Sequence, residues 1–291
     1  MARKKSDTQT VTAQIESLTP SKEELDTFYQ QALETSYVTN LSDSLVPNEP
    51  SYKVKMDTAL SLIKQKEEET LILDLGCGIG LYDFYILNKI PNANILGIDL
   101  SLGHIKTALD LTKKSDPKRV AFKVLDLDKL EERDLGGFNK PNYIILTEVL
   151  EYLPDPRPIL KKIKSLCGPK TRLIFSASLS HTSENSTWYV QKKEQGYLKT
   201  LHKEELDQTQ PIYRMWHKQY GLSELKRLLE EEGFAVKKIR GCLFRPFTPN
   251  SYFHSAMNRL TSQSRIDKFF NNVTDNKYAR TVFLKCSPKR P

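Results

Sequence analysis

The residue types best suited to chemistry lie in two short segments. The first, residues 71–80, is an apolar run that reaches Asp74 and then breaks into three alternating glycines. Glycine allows the backbone to turn tightly and to come close to a ligand. The second apolar run ends at Asp99, nineteen residues after the last of these glycines, where a carboxylate can accept hydrogen bonds from two vicinal hydroxyl groups. A glycine-rich turn followed about 20 residues later by an acid is typical of nucleoside-binding sites in doubly wound folds.

The order of acid and glycines in the first segment distinguishes between ligands. A dinucleotide site uses the pattern G-x-G-x-x-G, which lets a helix N-terminus hold a pyrophosphate. Here Asp74 precedes Gly76-Cys77-Gly78-Ile79-Gly80, and an acid at this position suits a cationic ligand but would repel a pyrophosphate. The segment resembles motif I of the class I S-adenosylmethionine-dependent methyltransferases, whose cofactor is a nucleoside that carries an amino acid and a sulfonium. A glycine turn in another kind of α/β protein is the alternative.

Three later segments extend this resemblance over about residues 68–240. Residues 124–127 end the third predicted strand around Asp126. Residues 144–156 look like the segment that follows strand 4 in small-molecule methyltransferases such as the ubiquinone-biosynthesis O-methyltransferases. Residues 216–234 resemble the late helix of these enzymes and the Gly-Phe turn before their sixth strand. The resemblance implies an enzyme that transfers the activated sulfonium methyl group by in-line displacement.

The resemblance also implies cofactor-binding roles at matching positions. Asp74 would orient the methionine ammonium, Asp99 would bind the ribose diol, and Asp126 with the backbone of Leu127 would read the adenine edge. Each of two residues has an alternative to binding the cofactor. Asp126 could be a solvated acid at a strand end, and Glu148 could have a helix-cap or substrate-side role. The cofactor-binding residues expected on this basis are Asp74, Gly76, Cys77, Gly78, Gly80, Asp99, Leu100, Asp126, Leu127, Thr147 and Glu148.

The acceptor side of the site is marked less clearly in the sequence. His181 follows the fifth predicted strand and is the first choice for a general base, because ligands bind beyond the C-terminal ends of parallel strands. His217 and His254, in the two insertions, are the alternatives to His181 as the base. Each of these residues could instead be a surface or structural imidazole, and an amine acceptor would need no base. We identify no Asp/Asn cluster for a metal and expect none. The expected substrate-side residues are Tyr152, Trp188, Tyr189, Trp216, Arg245 and His254. Core packing is the alternative for the aromatic ones.

The elements that would position these residues alternate between strand and helix. Apolar runs predict seven strands, at residues 70–75, 94–99, 120–125, 142–147, 171–177, 235–240 and 279–286. Helical spacing of apolar residues predicts helices at 80–89, 102–114, 156–166 and 223–232. This alternation predicts an α/β fold with a Rossmann-like, seven-stranded and mostly parallel sheet that carries helices on both faces.

The remaining segments suggest how the chain is organised around this sheet. Residues 1–20 are polar and predict a disordered tail, and residues 21–65 predict an N-terminal helical lid. The methyltransferase domain would then span 66–291. Two stretches inside it, 178–222 and 241–278, are too long for ordinary connections and are expected to be irregular, substrate-side insertions after strands 5 and 6.

Composition limits the class of protein and its setting. At 291 residues the chain can bury one full core. It contains no apolar run of about 18 residues, no apolar segment behind its N-terminal charges and four scattered cysteines, which together favour a cytoplasmic protein without a membrane span. Its net charge of +8 is concentrated in residues 237–291, which hold 12 Lys or Arg and two acids. Such a region is either a solvated surface or a patch that attracts an anionic acceptor or partner.

Three functions are consistent with these features. The first is methylation of a small or medium-sized metabolite, which could be anionic or aromatic. The alternative is methylation of RNA or protein through the basic C-terminal region, and the third is a scaffold that binds the cofactor without catalysis. The sequence does not determine the acceptor atom or the oligomeric state.

Overall fold

Strands and helices alternate along the chain, as the sequence predicts. The computed structural model describes residues 50–64, 67–114, 118–138, 140–153, 155–180, 187–194, 197–201, 214–244 and 279–289. The strands are β1 (Thr70–Leu75), β2 (Ala93–Asp99), β3 (Val120–Val124), β4 (Tyr143–Leu146), β5 (Arg172–Ser178), β6 (Thr187–Glu194), β7 (Tyr197–Leu201), β8 (Arg214–Gln219), β9 (Phe234–Cys242) and β10 (Thr281–Pro288). The α-helices are α1 (Pro50–Leu60), α2 (Leu81–Lys89), α3 (Leu102–Thr112), α4 (Arg157–Leu166) and α5 (Leu222–Glu231). Short 3₁₀ helices span Leu127–Lys129, Glu132–Phe138 and Leu150–Tyr152.

Seven of the strands form one sheet in the order β3-β2-β1-β4-β5-β10-β9. The pairs from β3 to β5 are parallel, and β10 runs antiparallel to both β5 and β9. The seven predicted strands and the four predicted helices are confirmed, each to within two residues at either end. Because β1 pairs with both β2 and β4, the strand order reverses beside β1, and the C-terminal ends of these strands are where an open sheet binds its ligand.

The seven-stranded sheet is covered on both faces, since successive side chains of a strand point to opposite sides. In β1, Leu73 packs in the hydrophobic cluster that includes α4 and α5. Its neighbour Ile72 packs in a second cluster, which includes α1 and α2. Both residues are fully buried. The predicted arrangement of helices on both faces is therefore confirmed.

The stretch at 178–222 contains a second, three-stranded antiparallel sheet in the order β7-β6-β8. The N–H of Tyr220 donates to the Ser178 carbonyl (2.8 Å), and the N–H of Ser180 donates to the Tyr220 carbonyl (3.0 Å), which ties the return of this insertion to the end of β5. The expectation of irregular structure is wrong for these strands. They pair with one another and not with the main sheet, so they lack the continuous apolar runs that mark a buried parallel strand. Most of the second insertion, residues 245–278, lies outside the described residues.

Helix α1 lies within the predicted N-terminal lid, residues 21–65, and packs on the seven-stranded sheet. Met56 is 1% exposed and belongs to the same cluster as α2. Pro50 is the first residue of α1, where its missing N–H costs no helical hydrogen bond. Residues 1–49 lie outside the described residues, so the tail and the function of a lid stay predictions.

Candidate active site

The glycine turn between β1 and α2 presents bare backbone at the C-terminal edge of the sheet. Gly76, Gly78 and Gly80 have φ angles of 77°, 57° and 79°, in the left-handed region that favours glycine. The N–H of Gly76 donates to the carbonyl of Ile98 (2.7 Å), which fastens the turn to β2. A Cβ atom at Gly76 would lie 2.3 Å from Cγ2 of Val149, whereas at Gly78 it would meet nothing closer than 4.0 Å. The backbone at Gly78 therefore faces open space, as a ligand-binding turn requires.

Two carboxyl groups are buried behind this turn. Asp74 in β1 is 1% exposed, and Asp83 in the first turn of α2 is fully buried. Within the described part of the chain, Oδ1 of Asp74 and both carboxyl oxygens of Asp83 receive no hydrogen bond from an N–H or O–H group. Burial raises the pKa of Asp83 to about 7, and burial together with Asp83 raises the pKa of Asp74 well above its ordinary value. Burial and the same two acids also raise the pKa of the Cys77 thiol.

Asp99, the last residue of β2, holds the glycine turn from the other side. Its Oδ2 accepts the N–H of Gly78 (2.8 Å), and its Oδ1 accepts the N–H of Ser101 (2.9 Å). The ring atom Nδ1 of His104 lies 3.5 Å from Oδ1. Because each carboxylate oxygen can accept two hydrogen bonds, the two backbone contacts leave acceptor capacity for the hydroxyl groups of a ligand.

Three further predicted residues lie at the same edge, beyond β2 and its neighbour β3. Asp126 accepts the N–H of Asp128 with Oδ1 (3.1 Å) and so caps the short helix Leu127–Lys129. Leu127 is half-buried and packs against the core, and Leu100 follows β2 directly and is also half-buried. Asp126 thus has a local capping role, and the adenine contacts expected of this group stay predictions.

The segment after β4 carries a partly buried ion pair. Thr147 is buried, and Glu148 follows it with a φ of 56°, which is uncommon outside glycine and often marks functional sites. The N–H of Glu148 donates to Oγ of Ser176 (2.8 Å), and its carboxylate forms a salt bridge with Lys55 of α1. Burial acts to lower the pKa of Lys55, but the charge and hydrogen bond of Glu148, together with Cys242 and Glu151, raise it overall. Helix α1 is thereby linked to the site through a charged pair.

Glu151 lies one turn beyond Glu148 and is 1% exposed. Its Oε1 accepts the N–H of Ser178 (2.8 Å), whereas Oε2 receives no hydrogen bond from the described residues. Burial and the neighbouring Glu148 raise the pKa of Glu151 to about 7. A carboxyl group with such a pKa can accept or donate a proton near neutral pH. Tyr152, an expected substrate-side residue, is adjacent and half-buried.

The pairing of β6 with β8 places several acceptor-side candidates in one small sheet. Tyr189 is opposite His217, and Trp188 is opposite Lys218; Trp216 precedes His217 in β8. Whether these residues contact an acceptor stays a prediction. The candidates that lie outside the described residues are His181, Arg245 and His254.

Sequence reasoning missed three charged residues that the fold brings to the site: Lys55, Asp83 and Glu151. A signal for Asp83 was present, because the α2 segment Leu-Tyr-Asp-Phe-Tyr-Ile-Leu is apolar on all sides, which indicates a buried helix. A charged residue in such a helix is expected to be buried with it. For Lys55 no local pattern pointed to a partner 93 residues away in sequence.

These features define a class of protein: a Rossmann-like fold with a site for a positively charged nucleoside at the reversal of strand order. A family profile described as a methyltransferase domain matches residues 66–236, more than half of the chain. The chain therefore belongs to the methyltransferase domain family, as a class I S-adenosylmethionine-dependent member, and the resemblance expected from the sequence is confirmed.

Individual relatives agree with this family. Over 114 residues the chain is 29% identical to malonyl-[acyl-carrier protein] O-methyltransferase 2 of Ilyobacter polytropus, across 39% of this chain and 41% of that protein. Over 177 residues it is 23% identical to the ubiquinone biosynthesis O-methyltransferase of Acinetobacter baylyi, across 61% and 68%. The solved structure of the glycopeptide N-methyltransferase MtfA with S-adenosylmethionine has a TM-score of 0.53 at 10% identity, across 84% of this chain and 97% of that one. The chain spans less than half of the Ilyobacter enzyme, and the likeness to MtfA concerns the fold.

The described residues fit S-adenosylmethionine, the cofactor expected from the sequence. The buried carboxyl oxygen of Asp74 matches an ammonium group, Asp99 has acceptor capacity for a diol, and the backbone at Gly78 is open to a ligand. Within the described ranges, no three His, Cys, Asp or Glu side chains are grouped so that they could hold a metal ion. Nor does any helix in those ranges have the length and hydropathy to cross a membrane.

Proposed function

We propose that the chain catalyses methyl transfer from S-adenosylmethionine to a small or medium-sized metabolite. The observation that carries this proposal is the buried carboxyl of Asp74, whose Oδ1 has no hydrogen-bond donor among the described residues, behind a glycine turn that Asp99 holds in place. Burying a carboxyl group without a partner is costly. A cationic ligand at the turn would satisfy it.

On the cofactor side, the residues of the chain would bind and orient S-adenosylmethionine. Asp74 would hold the ammonium group, Asp99 would accept the ribose hydroxyls, and the backbone from Gly76 to Gly78 would allow close approach. When bound, S-adenosylmethionine supplies a methyl group that is already activated by its sulfonium. The protein then has to align a nucleophile with that methyl group and exclude water.

On the acceptor side, the charged residues after β4 are the strongest described candidates. Glu151 has an oxygen that receives no hydrogen bond from the described residues and a pKa raised to about 7, so its carboxylate could take the proton of an acceptor hydroxyl. The excess of Lys and Arg in residues 237–291 would favour an acceptor with an acidic group. The names of the two relatives, each an O-methyltransferase, support an oxygen acceptor. Four cysteine thiols that lie outside any disulfide support a reducing, cytoplasmic setting.

Binding of S-adenosylhomocysteine, measured by calorimetry, tests the cofactor site. Asp99→Asn should weaken binding by about tenfold or more, because an amide replaces one acceptor oxygen with a donor. Asp110→Asn, on the exposed side of α3, serves as the matched control and should bind like the wild type. No binding by the wild type, or equal binding by both variants, would contradict the proposed function.

The acceptor class is tested separately, with labelled S-adenosylmethionine and a fractionated cell extract. Label is expected in the small-molecule fraction. Label in RNA or protein would instead support the alternative based on the basic residues 237–291, and RNA methylation should weaken steeply as salt is added. Binding without transfer to any fraction would support a non-catalytic scaffold.

A further inference from the structure

Asp83 is a buried acid for which the proposed cofactor contacts provide no role. It lies in the first turn of α2, fully buried, in a helix whose neighbouring residues Tyr82 and Phe84 are also buried. A single carboxylate at Asp74 would be enough to match the charge of an ammonium group. A second buried carboxyl beside it adds the cost of desolvation and of like-charge repulsion.

The two carboxyl groups can satisfy each other only if they share a proton. Asp74 and Asp83 are close enough to hydrogen-bond side chain to side chain. Neither Oδ1 of Asp74 nor either oxygen of Asp83 has an N–H or O–H donor among the described residues. Two ionised carboxylates offer acceptors alone, and two like charges in contact cannot both ionise readily. One proton on the pair converts the repulsion into a hydrogen bond.

The surroundings of the pair favour a protonated state in the cofactor-free protein. Burial raises the pKa of Asp83 to about 7 and that of Asp74 well above its ordinary value. The other titratable groups that face the pair are Asp99 from β2, Cys77 from the glycine turn and Tyr82 from α2, with His104 from α3 beside Asp99. The charge of Asp99 adds to the raised pKa of Asp74, whereas the Cys77 thiol and the Tyr82 hydroxyl, whose own pKa values are raised well above their ordinary values, stay neutral near pH 7.

We propose that Asp83 is a positioning residue of the cofactor site: it shares a proton with Asp74 in the cofactor-free protein, and that proton is released when the ammonium group of the cofactor binds. This inference rests on the proposed function, because it requires an ammonium group at Asp74. The carboxylic O–H bond breaks, the proton passes to the solvent, and the pair gains one negative charge opposite the positive charge of the ligand. Asp83 acts through Asp74 and needs no contact with the ligand.

The proposal predicts a specific pH dependence of binding. Binding that releases a proton becomes tighter as the pH rises. Where the free pair holds this proton and the bound pair is ionised, the Kd should fall by up to about tenfold for each unit of pH between about 6 and 8. The α-amino group of the ligand titrates at about 7.7–8.0 and acts in the opposite direction, but equally in all variants.

The test is calorimetry with S-adenosylhomocysteine, which carries the same amino acid and nucleoside and cannot donate a methyl group. Titrations in two buffers with different protonation enthalpies count the protons released on binding. The wild type should release about half a proton or more near pH 7. Asp83→Asn keeps the shape and can donate its amide N–H to Asp74, so this variant should release close to none from the pair and bind more tightly than the wild type at about pH 6.

The controls separate this inference from the proposed function. Asp110→Asn changes an exposed acid and should keep the proton release of the wild type. If the wild type does not bind at all, the proposed function fails. If the wild type binds but releases no proton, or if folded Asp83→Asn shows the wild-type pH dependence, the inference about Asp83 is wrong while the cofactor site stands. The wild-type proton count decides the question even if the variant does not fold.

Discussion

The free energy of unfolding should fall less with rising pH when Glu151 is replaced by glutamine than it does in the wild type. Glu151 is 1% exposed, and burial with Glu148 nearby raises its pKa to about 7 from an ordinary value of 4.5. The folded protein therefore keeps a proton that the unfolded chain gives up. The contribution of Glu151 to the free energy of unfolding is therefore largest below about pH 4.5. It falls until about pH 7, where Glu151 ionises in the folded protein as well.

The size of this effect follows from the two pKa values. One pKa unit corresponds to about 1.4 kcal/mol, so a change from 4.5 to about 7 corresponds to a loss of about 3 kcal/mol. A glutamine at this position keeps the oxygen that accepts the N–H of Ser178 and has no proton to lose. Its amide adds a cost that does not depend on pH, which cancels when each protein is compared with itself at two pH values.

Urea unfolding at a series of pH values between about 5 and 8 gives the free energy of unfolding of each protein. Relative to Glu151→Gln, the wild type should lose about 2–3 kcal/mol over this range. Glu230→Gln, on the exposed side of α5, is the matched control and should follow the wild type. Parallel curves for wild type and Glu151→Gln would refute the reasoning, because they would mean that Glu151 ionises alike in the folded and unfolded chains.

Other substitutions test the turn, the ion pair and the anchor of the small sheet. Gly76→Ala should lower the free energy of unfolding by about 2 kcal/mol or more and abolish cofactor binding, since its Cβ would lie 2.3 Å from Cγ2 of Val149; urea unfolding and calorimetry would show this. A double-mutant cycle of Lys55→Met and Glu148→Gln should give a coupling energy of about 1 kcal/mol, and strictly additive effects would contradict the ion pair. Tyr220→Phe removes a hydroxyl that donates to a backbone carbonyl at 3.0 Å and should cost about 1 kcal/mol; an unchanged urea midpoint would contradict that bond.

The inner strands of the main sheet could be predicted because they are buried on both faces. A strand such as β1 reads as a continuous apolar run, and the glycine turn that ends it has few alternative interpretations. The same physical reason explains why the small sheet was missed. Residues 192–194 of β6 read Lys-Lys-Glu, so this strand has no continuous apolar run by which its local sequence could identify it.

The cofactor side of the site was more predictable than the acceptor side for a related reason. Asp74 lies near the end of β1 and Asp99 at the end of β2, at a fixed spacing from the glycines, so local sequence is enough to place them together. Lys55 and Glu148 are 93 residues apart, and their contact depends on how α1 packs on the sheet. Asp83 could have been found by asking why an acid interrupts a helix that is otherwise apolar on all sides.

Folding and cofactor binding should respond to pH in opposite directions, because both depend on the protons of Asp74 and Asp83. Their raised pKa values mean that the cofactor-free protein loses stability as the pH rises from about 4 toward 7, since the unfolded chain releases these protons first. A bound cation favours the ionised pair, so each tenfold gain in affinity adds about 1.4 kcal/mol of stabilisation at a fixed, saturating concentration of ligand. The increase in melting temperature produced by S-adenosylhomocysteine should therefore be larger at about pH 8 than at about pH 6 in the wild type. In Asp83→Asn it should be no larger at about pH 8, because only the α-amino group of the ligand then titrates. An equal increase at both pH values in the wild type would mean that the buried pair keeps its proton when the ligand binds. The two acids would then serve the folded structure alone.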